Sequence, residues 1–309
     1  MTANLGKINC SRFYFEWKGH QIQDLTTFRA ITTEHRPNNP IVYLAGDSSL
    51  DNKYWVSSDK ELQVKTPEIY KHTLDKPTPK PDVTFWMNHL LGDRATCINT
   101  AVEESMLRER DQELLTHDKF IRDNIRSEDV LIVSVGANDI ALKPLPCTIR
   151  HMLLLAWATP RSSLEKGTAS SLKYFHHMFG NKIQDYVDRM TAKTRPRAVI
   201  ICMIYFPLES GLGQHSWADT QLKTLGYNTW PGQLQTVIST LYRTATQNIK
   251  IEGTEVVPCA LHEVLDGKTA KDYTARVEPN EDGGKKMAYK FVELLSGIWR
   301  LPENQSLGQ

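Results

Sequence analysis

Four short apolar runs rich in β-branched residues constrain this chain more than any other feature. They are PIVYLAG (40–46), DVLIVSVGAND (129–139), RAVIICMIYFP (197–207) and TEVVPCAL (254–261). A strand that is apolar on both faces belongs in a sheet covered on both sides, which is the situation of parallel sheets. A fifth, weaker run is ATCINTAV (95–102). Helical patterns separate the runs. Residues 171–190 put Leu172, Phe175, Phe179, Ile183, Val187 and Met190 on one side. A second pattern starts at Pro231 and repeats Leu234, Val237, Ile238, Leu241 and Ala245, and a third repeats Met287, Phe291, Leu294 and Ile298. Strands alternating with helices imply right-handed crossovers and a three-layer α/β sandwich around a central parallel sheet.

No repeat and no linker divides the sequence. The expectation is one domain over residues 1–309, with a core at about 40–299, an N-terminal extension at 1–39 and insertions at 56–94, 140–168 and 208–230. The Pro-rich stretch 66–82 reads as an excursion over the surface, and connections this long are often lids or binding loops. The tail from Pro302 reads as frayed.

Composition narrows the function classes. The chain of 309 residues is 40% hydrophobic and 24% charged, which is ordinary for a globular protein. A net charge of +1 supplies no field to recruit nucleic acid or an anionic membrane. The five cysteines are scattered without zinc or redox spacing, which suits reduced thiols. The first residues lack a signal-peptide core and no run reaches transmembrane length, so the expected location is cytoplasmic. No P-loop, GxGxxG, HExxH or EF-hand pattern occurs, and neither a cofactor nor a metal is expected. The tryptophans Trp55, Trp86, Trp157, Trp217, Trp230 and Trp299 are spread out, several of them in the insertions.

Chemistry enters where the runs end. The first run breaks off in Gly46, Asp47 and Ser48, and the second in Gly136, Ala137, Asn138 and Asp139. In a doubly wound sheet, ligands bind beyond the carboxyl ends of the strands. A serine hydroxyl there needs a base to become a nucleophile, and an asparagine amide beside it can donate to a developing oxyanion. Taken singly, each is an ordinary turn residue. Taken as a pair at two neighbouring strand ends, they point to a site.

These elements resemble the GDSL, or SGNH, hydrolase family. GDSS resembles its first block, GAND its third, and EPNEDGGKKMA the HPxxxGxxxMA pattern near its C-terminus. The resemblance implies a flavodoxin-like αβα sandwich with strand order 2-1-3-4-5, Ser48 as nucleophile, and Asn138 in the oxyanion hole. The implied substrate is a small-molecule carboxylic ester or other acylated compound, hydrolysed by an esterase or lipase-like enzyme. In this frame Gly46, Asp47, Gly136 and Asp139 support the two turns, Asp139 fixes the turn around Asn138, and Asp51 caps the helix after Ser48.

Two blocks depart from the family. In CINTAVEES, Asn99 fits the second block, but Glu103 or Glu104 stands where a glycine N–H joins the oxyanion hole, and glycine's conformational freedom is lost. The pair could instead cap the next helix. In YTARVEPNEDGG, Pro279 and Gly283 keep their places, but Glu278 replaces the family histidine and Ala275 the aspartate, while Asp272 lies too far away to match. Three readings stay open. Glu278 is itself the base, with a pKa raised by burial and opposed by Arg276 if that side chain comes close. Alternatively His215 or His262, from loops at the same sheet edge, substitutes; His176 and His177 sit in mid-helix. Or the protein is a weakly active or inactive binding or regulatory protein on the same scaffold.

Overall fold

The computed structural model describes residues 6–57 and 64–300, so the expected frayed tail and part of the 56–94 insertion lie outside the described residues. Strands β1 (Ile41–Gly46), β2 (Thr96–Asn99), β3 (Val130–Ser134), β4 (Ala198–Met203) and β5 (Glu255–Ala260) form one parallel sheet. Its order is β2-β1-β3-β4-β5, with Val42 beside both Cys97 and Val130. This is the flavodoxin-like doubly wound order, and it places the switch point between β1 and β3. Every residue of β1 to β4 is buried, including the polar Thr96 and Asn99 of β2 and Ser134 of β3, as expected of a parallel sheet covered on both faces. The register also sets Cys202 beside Cys259, both free thiols, a proximity that the linear spacing conceals.

The three helical patterns form the expected elements. Residues 172–190 are helical with a π turn at His177–Lys182, and all six residues of the expected apolar face are buried. Helix Pro231–Thr244 begins at its proline, whose missing N–H would be unpaired there anyway. Helix Glu281–Trp299 is capped by Asn280, whose side chain accepts the Gly283 N–H at 3.1 Å, and acidic Glu281 and Asp282 occupy its first turn.

Two peripheral expectations differ from the structure. The stretch 66–82 includes helix Glu68–Thr73, which buries Ile69, Tyr70 and Thr73, and it leads into helix Val83–Leu91, almost wholly buried. Buried Ile69 and Tyr70 make the first part of this segment a piece of the helical layer, while residues 75–78 run exposed and irregular as the prolines lead one to expect. The N-terminal segment also joins the main core through Ile8, Phe13, Tyr14, Leu25 and Phe28.

Gly46 ends β1 at φ 138°, and a Cβ there would lie 1.7 Å from the Ser134 carbonyl oxygen. The β3 backbone approaches so closely that only glycine fits. Gly46→Ala is therefore expected to destabilise the protein by more than about 2 kcal/mol, read as a lower midpoint in urea. An unchanged midpoint would refute the close approach.

Candidate active site

The turn after β1 is held by its neighbours rather than by Ser48. The Asp47 N–H donates to the Ser134 carbonyl (3.1 Å), and the Leu50 and Asp51 N–H groups donate back to the Asp47 carbonyl. Asp47 Oδ1 accepts from the Ser49 N–H (3.1 Å) and hydroxyl (2.8 Å), and Ser49 Oγ meets Ser134 Oγ at 2.7 Å. Burial raises Asp47 to about 6 against the pull of these Ser49 bonds. Ser49 thus braces the turn, while Ser48 lines two adjoining cavities. None of the described hydrogen bonds uses the Ser48 N–H.

Asn138 sits in the first turn of helix Ala137–Ala141, entered through Gly136 at φ 111°. The sequence extends the strand run into this segment, but the left-handed glycine ends it at Ser134 and starts the helix. Asn138 Nδ2 donates to the Ser105 carbonyl (3.1 Å), which leaves its second amide hydrogen for the cavity. Asp139 does not fix this turn. Its carboxylate accepts the Leu107 (2.6 Å) and Arg108 (3.1 Å) N–H groups and so ties down the segment after Glu104, and burial raises its pKa.

Glu104 corrects the expectation about the missing glycine. Its φ is 60°, so the backbone takes the left-handed conformation without glycine, at a cost of about 1–2 kcal/mol. Its N–H also enters no described hydrogen bond. Nor do the two glutamates cap a helix: the next turn, Leu107–Arg110, is capped at Met106 with Glu109. The Ser48 N–H, the second Asn138 amide hydrogen and the Glu104 N–H are three uncommitted donors on residues lining one cavity. Asn99 braces this region, donating to the Leu50 carbonyl (3.0 Å) and accepting the Ala101 N–H (3.0 Å).

Glu278 lies beside Ser48. Strands β6 (Tyr273–Thr274) and β7 (Glu278–Pro279) form a short antiparallel pair. Asn52 Nδ2 donates to the Pro279 carbonyl (3.1 Å) and ties this pair to the segment after Ser48. At Gly283 a Cβ would stand 2.1 Å from the Asp272 carbonyl oxygen, so glycine lets the following helix close over the pair. Glu278 is 3% exposed; its Oε1 accepts the Trp217 indole N–H at 3.3 Å, and Oε2 is buried without a partner. Desolvation raises its pKa to about 8, the Ser48 hydroxyl lowers it, and Asp47 and Glu104 raise it. The Ser48 hydroxyl is thus close enough to act on the carboxyl, yet the pair falls outside strict hydrogen-bond geometry. Contacts of this kind are often loose in a ligand-free site and tighten in the complex.

Arg276 does not oppose this rise. Its guanidinium donates to the Leu208 carbonyl (3.1 Å), to Asn228 Oδ1 (2.9 Å) and to Asp219. Ala275 and Arg276 both have positive φ, 50° and 63°, so the turn where the family carries its aspartate is strained here and serves as an anchor for residues 208–228. Asp272 pairs with Lys286 at 2.6 Å.

The alternative bases are elsewhere. The His215 side chain is fully solvent-exposed, 3.6 Å from Asp219, and lines a separate groove with Arg276. His262 is buried against Phe206 and Tyr242, where burial lowers its pKa, and it lines neither Ser48 cavity. His176 and His177 are exposed on their helix. Asp51 does not cap a helix with its side chain. Instead Oδ2 accepts the Gly19 and Glu103 N–H groups (2.9 Å each), and Oδ1 pairs with buried Lys53.

The first cavity, about 120 Å³, is walled by apolar side chains such as Met152, Leu155, Phe175, Leu222 and Leu241. The insertions 140–168 and 208–230 contribute to this wall, whereas the described residues of 56–94 do not. The second cavity, about 300 Å³, is lined by Trp17, Tyr54, Trp55, Glu103, Glu104 and Trp217, and it meets the first at Ser48, Asn138, Trp217 and Glu278. Trp17 and the Glu103 side chain are site residues that sequence reasoning missed. Trp17 comes from the N-terminal segment, and no spacing links it to Ser48. Among the described residues, no group of three or more His, Cys, Asp or Glu could hold a metal ion. Nor is any of their helices long and apolar enough to cross a membrane.

No protein-family model matches the sequence, and no curated protein matches it. Solved structures similar to this chain include a carbohydrate acetylesterase from Sinorhizobium meliloti, at 12% identity over 84% of this chain and 100% of that one, TM-score 0.43. Another is an extracellular lipase from Streptomyces rimosus, at 11% identity over 84% and 99%, TM-score 0.43. A third is the aryl esterase of M. smegmatis, at 11% identity over 84% and 99%, TM-score 0.42. By its own strand order and crossovers, the chain folds as the flavodoxin-like αβα sandwich that its sequence resemblance to the GDSL/SGNH hydrolases implies.

Proposed function

We propose that the protein is a serine hydrolase of carboxylic esters that uses Ser48 as nucleophile and Glu278 as base. The observation that carries this reading is the meeting of Ser48, a buried carboxyl and three uncommitted donors on one cavity. Ser48 Oγ attacks the acyl carbonyl carbon while ionised Glu278 takes the hydroxyl proton. The oxyanion is held by the Ser48 and Glu104 N–H groups and the Asn138 amide, each contributing about 3–4 kcal/mol where the geometry is right. Glu278 returns the proton to the departing alcohol, which leaves an acyl-Ser48 ester. A water then gives its proton to Glu278, attacks the acyl carbon and releases the acid, and Ser48 recovers its proton. The apolar cavity suits the acyl chain.

A carboxyl with a pKa of about 8 is mostly protonated at pH 7 and cannot then act as a base. Labelling by a fluorophosphonate probe is therefore expected to accelerate roughly tenfold between pH 7 and 9, following ionisation of Glu278. It should vanish in Ser48→Ala. Undiminished labelling of Ser48→Ala would exclude this nucleophile. The raised carboxyl also favours a second reading, a binding protein without turnover at neutral pH; a folded protein left unlabelled even at pH 9 would establish it over the first.

A further inference from the structure

The cleft on the solvent side of Ser48 has a chemistry that ester hydrolysis does not require. Trp17, Tyr54 and Trp217 stand at its mouth, 45%, 58% and 40% exposed. Trp17 and Tyr54 rings lie 6.3 Å apart, and Tyr54 meets Trp55 edge-on at 5.1 Å. Behind them are two carboxyls arranged alike. The Trp55 indole donates to Glu103 Oε1 at 3.2 Å, as the Trp217 indole does to Glu278 Oε1 at 3.3 Å. Each carboxyl keeps a second oxygen that is buried and unpartnered, and each residue is only 3% exposed. Unpaired buried oxygens of this kind are costly, and two on residues lining one cavity cost most when both are ionised.

We infer that this cleft binds an ammonium group, and that the preferred substrate is an ester of a cationic amino alcohol, with its acyl chain in the apolar cavity and its cation among Trp17, Tyr54, Trp55, Glu103 and Glu278. This deepens the serine hydrolase reading and rests on it for the ester. Faces of tryptophan and tyrosine attract a desolvated cation through the ring quadrupole. A positive charge placed between the two carboxyls also compensates both unpaired oxygens at once, which a neutral alcohol does not. The rim already holds one group of this type: the Lys18 ammonium lies 5.2 Å from the Trp17 ring centroid and 3.1 Å from Glu104 Oε2. Desolvation and the neighbouring Glu278 push Glu103 up to about 9, so without a cation the carboxyl holds its proton near neutral pH, and a bound cation would draw it into its charged form. The two cavities meet at Ser48, so the cation would sit only a few bonds beyond the scissile ester oxygen, as it does in a choline-type ester.

The test is calorimetric titration of Ser48→Ala at pH 9.5, where both carboxyls are largely ionised, with choline and with its neutral isostere 3,3-dimethylbutan-1-ol. Choline should bind at least about tenfold more tightly. Trp17→Leu, a change at an exposed position that leaves the core untouched, should weaken choline several-fold, and Glu103→Gln should remove most of the preference. Equal affinity for the two ligands, or a preference that survives both substitutions, overturns the inference. Hydrolysis of the neutral ester p-nitrophenyl butyrate by the protein with Ser48 intact tests the other reading separately. Choline preference without that hydrolysis removes the esterase and keeps the cation site; hydrolysis without the preference does the reverse.

Discussion

In the double variant Ala275→Asp, Glu278→His, hydrolysis of p-nitrophenyl acetate at pH 7 is expected to rise about a hundredfold or more over the parent. A carboxyl with a pKa of about 8 offers little free base at that pH, whereas a neutral imidazole accepts a serine proton readily. General-base assistance contributes about 10²- to 10⁴-fold where the geometry is right. The position already lines the same cavities as Ser48 and takes the Trp217 indole N–H, and the buried carboxyls nearby favour an imidazolium as it forms. Aspartate tolerates the left-handed φ of 50° at position 275 better than most residues. Arg276 stays in its own bonds on the far side of the turn. A folded double variant with no gain would mean that the three donors do not converge on the oxyanion.

The paired carboxyls should also make the fold weaker in alkali. Glu103 rises to about 9 and Glu278 to about 8, from ordinary values of 4.5. Between pH 4.5 and these raised values the native state keeps protons that the unfolded chain has lost. The stability they contribute is therefore full below about pH 4.5, falls progressively as pH rises toward 8 and 9, and is lost above those values. Glu103→Gln keeps the shape and removes the charge, so it should leave the melting temperature at pH 5 unchanged and raise stability at pH 9 by on the order of 2–4 kcal/mol. Thermal melts at pH 5, 7 and 9 decide it. A wild-type protein and variant that melt in parallel across this range would show that the carboxyls ionise freely.

The sheet was legible because burial on both faces writes itself into composition: no polar residue interrupts Ile41–Ala45 or Val130–Val133. The placement of Ser48 and Asn138 followed from strand order, since the carboxyl ends of β1 and β3 adjoin. What stayed hidden depends on contacts between distant segments. Asp51 looked like a cap because caps are local, but its partners are Gly19, Glu103 and Lys53. Glu104 looked unfit for a glycine position because propensity describes isolated residues, whereas the bonds around Ser105 and Leu107 hold the backbone at positive φ. Trp17 had no pattern to betray it, because an exposed aromatic resembles any other until a neighbouring segment gives it a wall to stand in.

The anchoring of Arg276 decides how a ligand reaches Ser48. Residues 208–228 roof part of the apolar cavity, and a roof of this kind commonly swings aside to admit a ligand. Here its movement would strip Asp219, Asn228 and the Leu208 carbonyl from a guanidinium that is only 4% exposed, and would break the Trp217 bond to Glu278 as well. Removing the partner of a buried charge costs about 3–5 kcal/mol. Opening this roof therefore carries that cost, whereas the second cavity, lined by Trp17 and Trp217, adjoins Ser48 without any such break. For the hydrolase proposed above, a roof held this way is expected to favour slender linear esters over branched or fused-ring ones, a preference that competing the two classes at equal concentration would reveal.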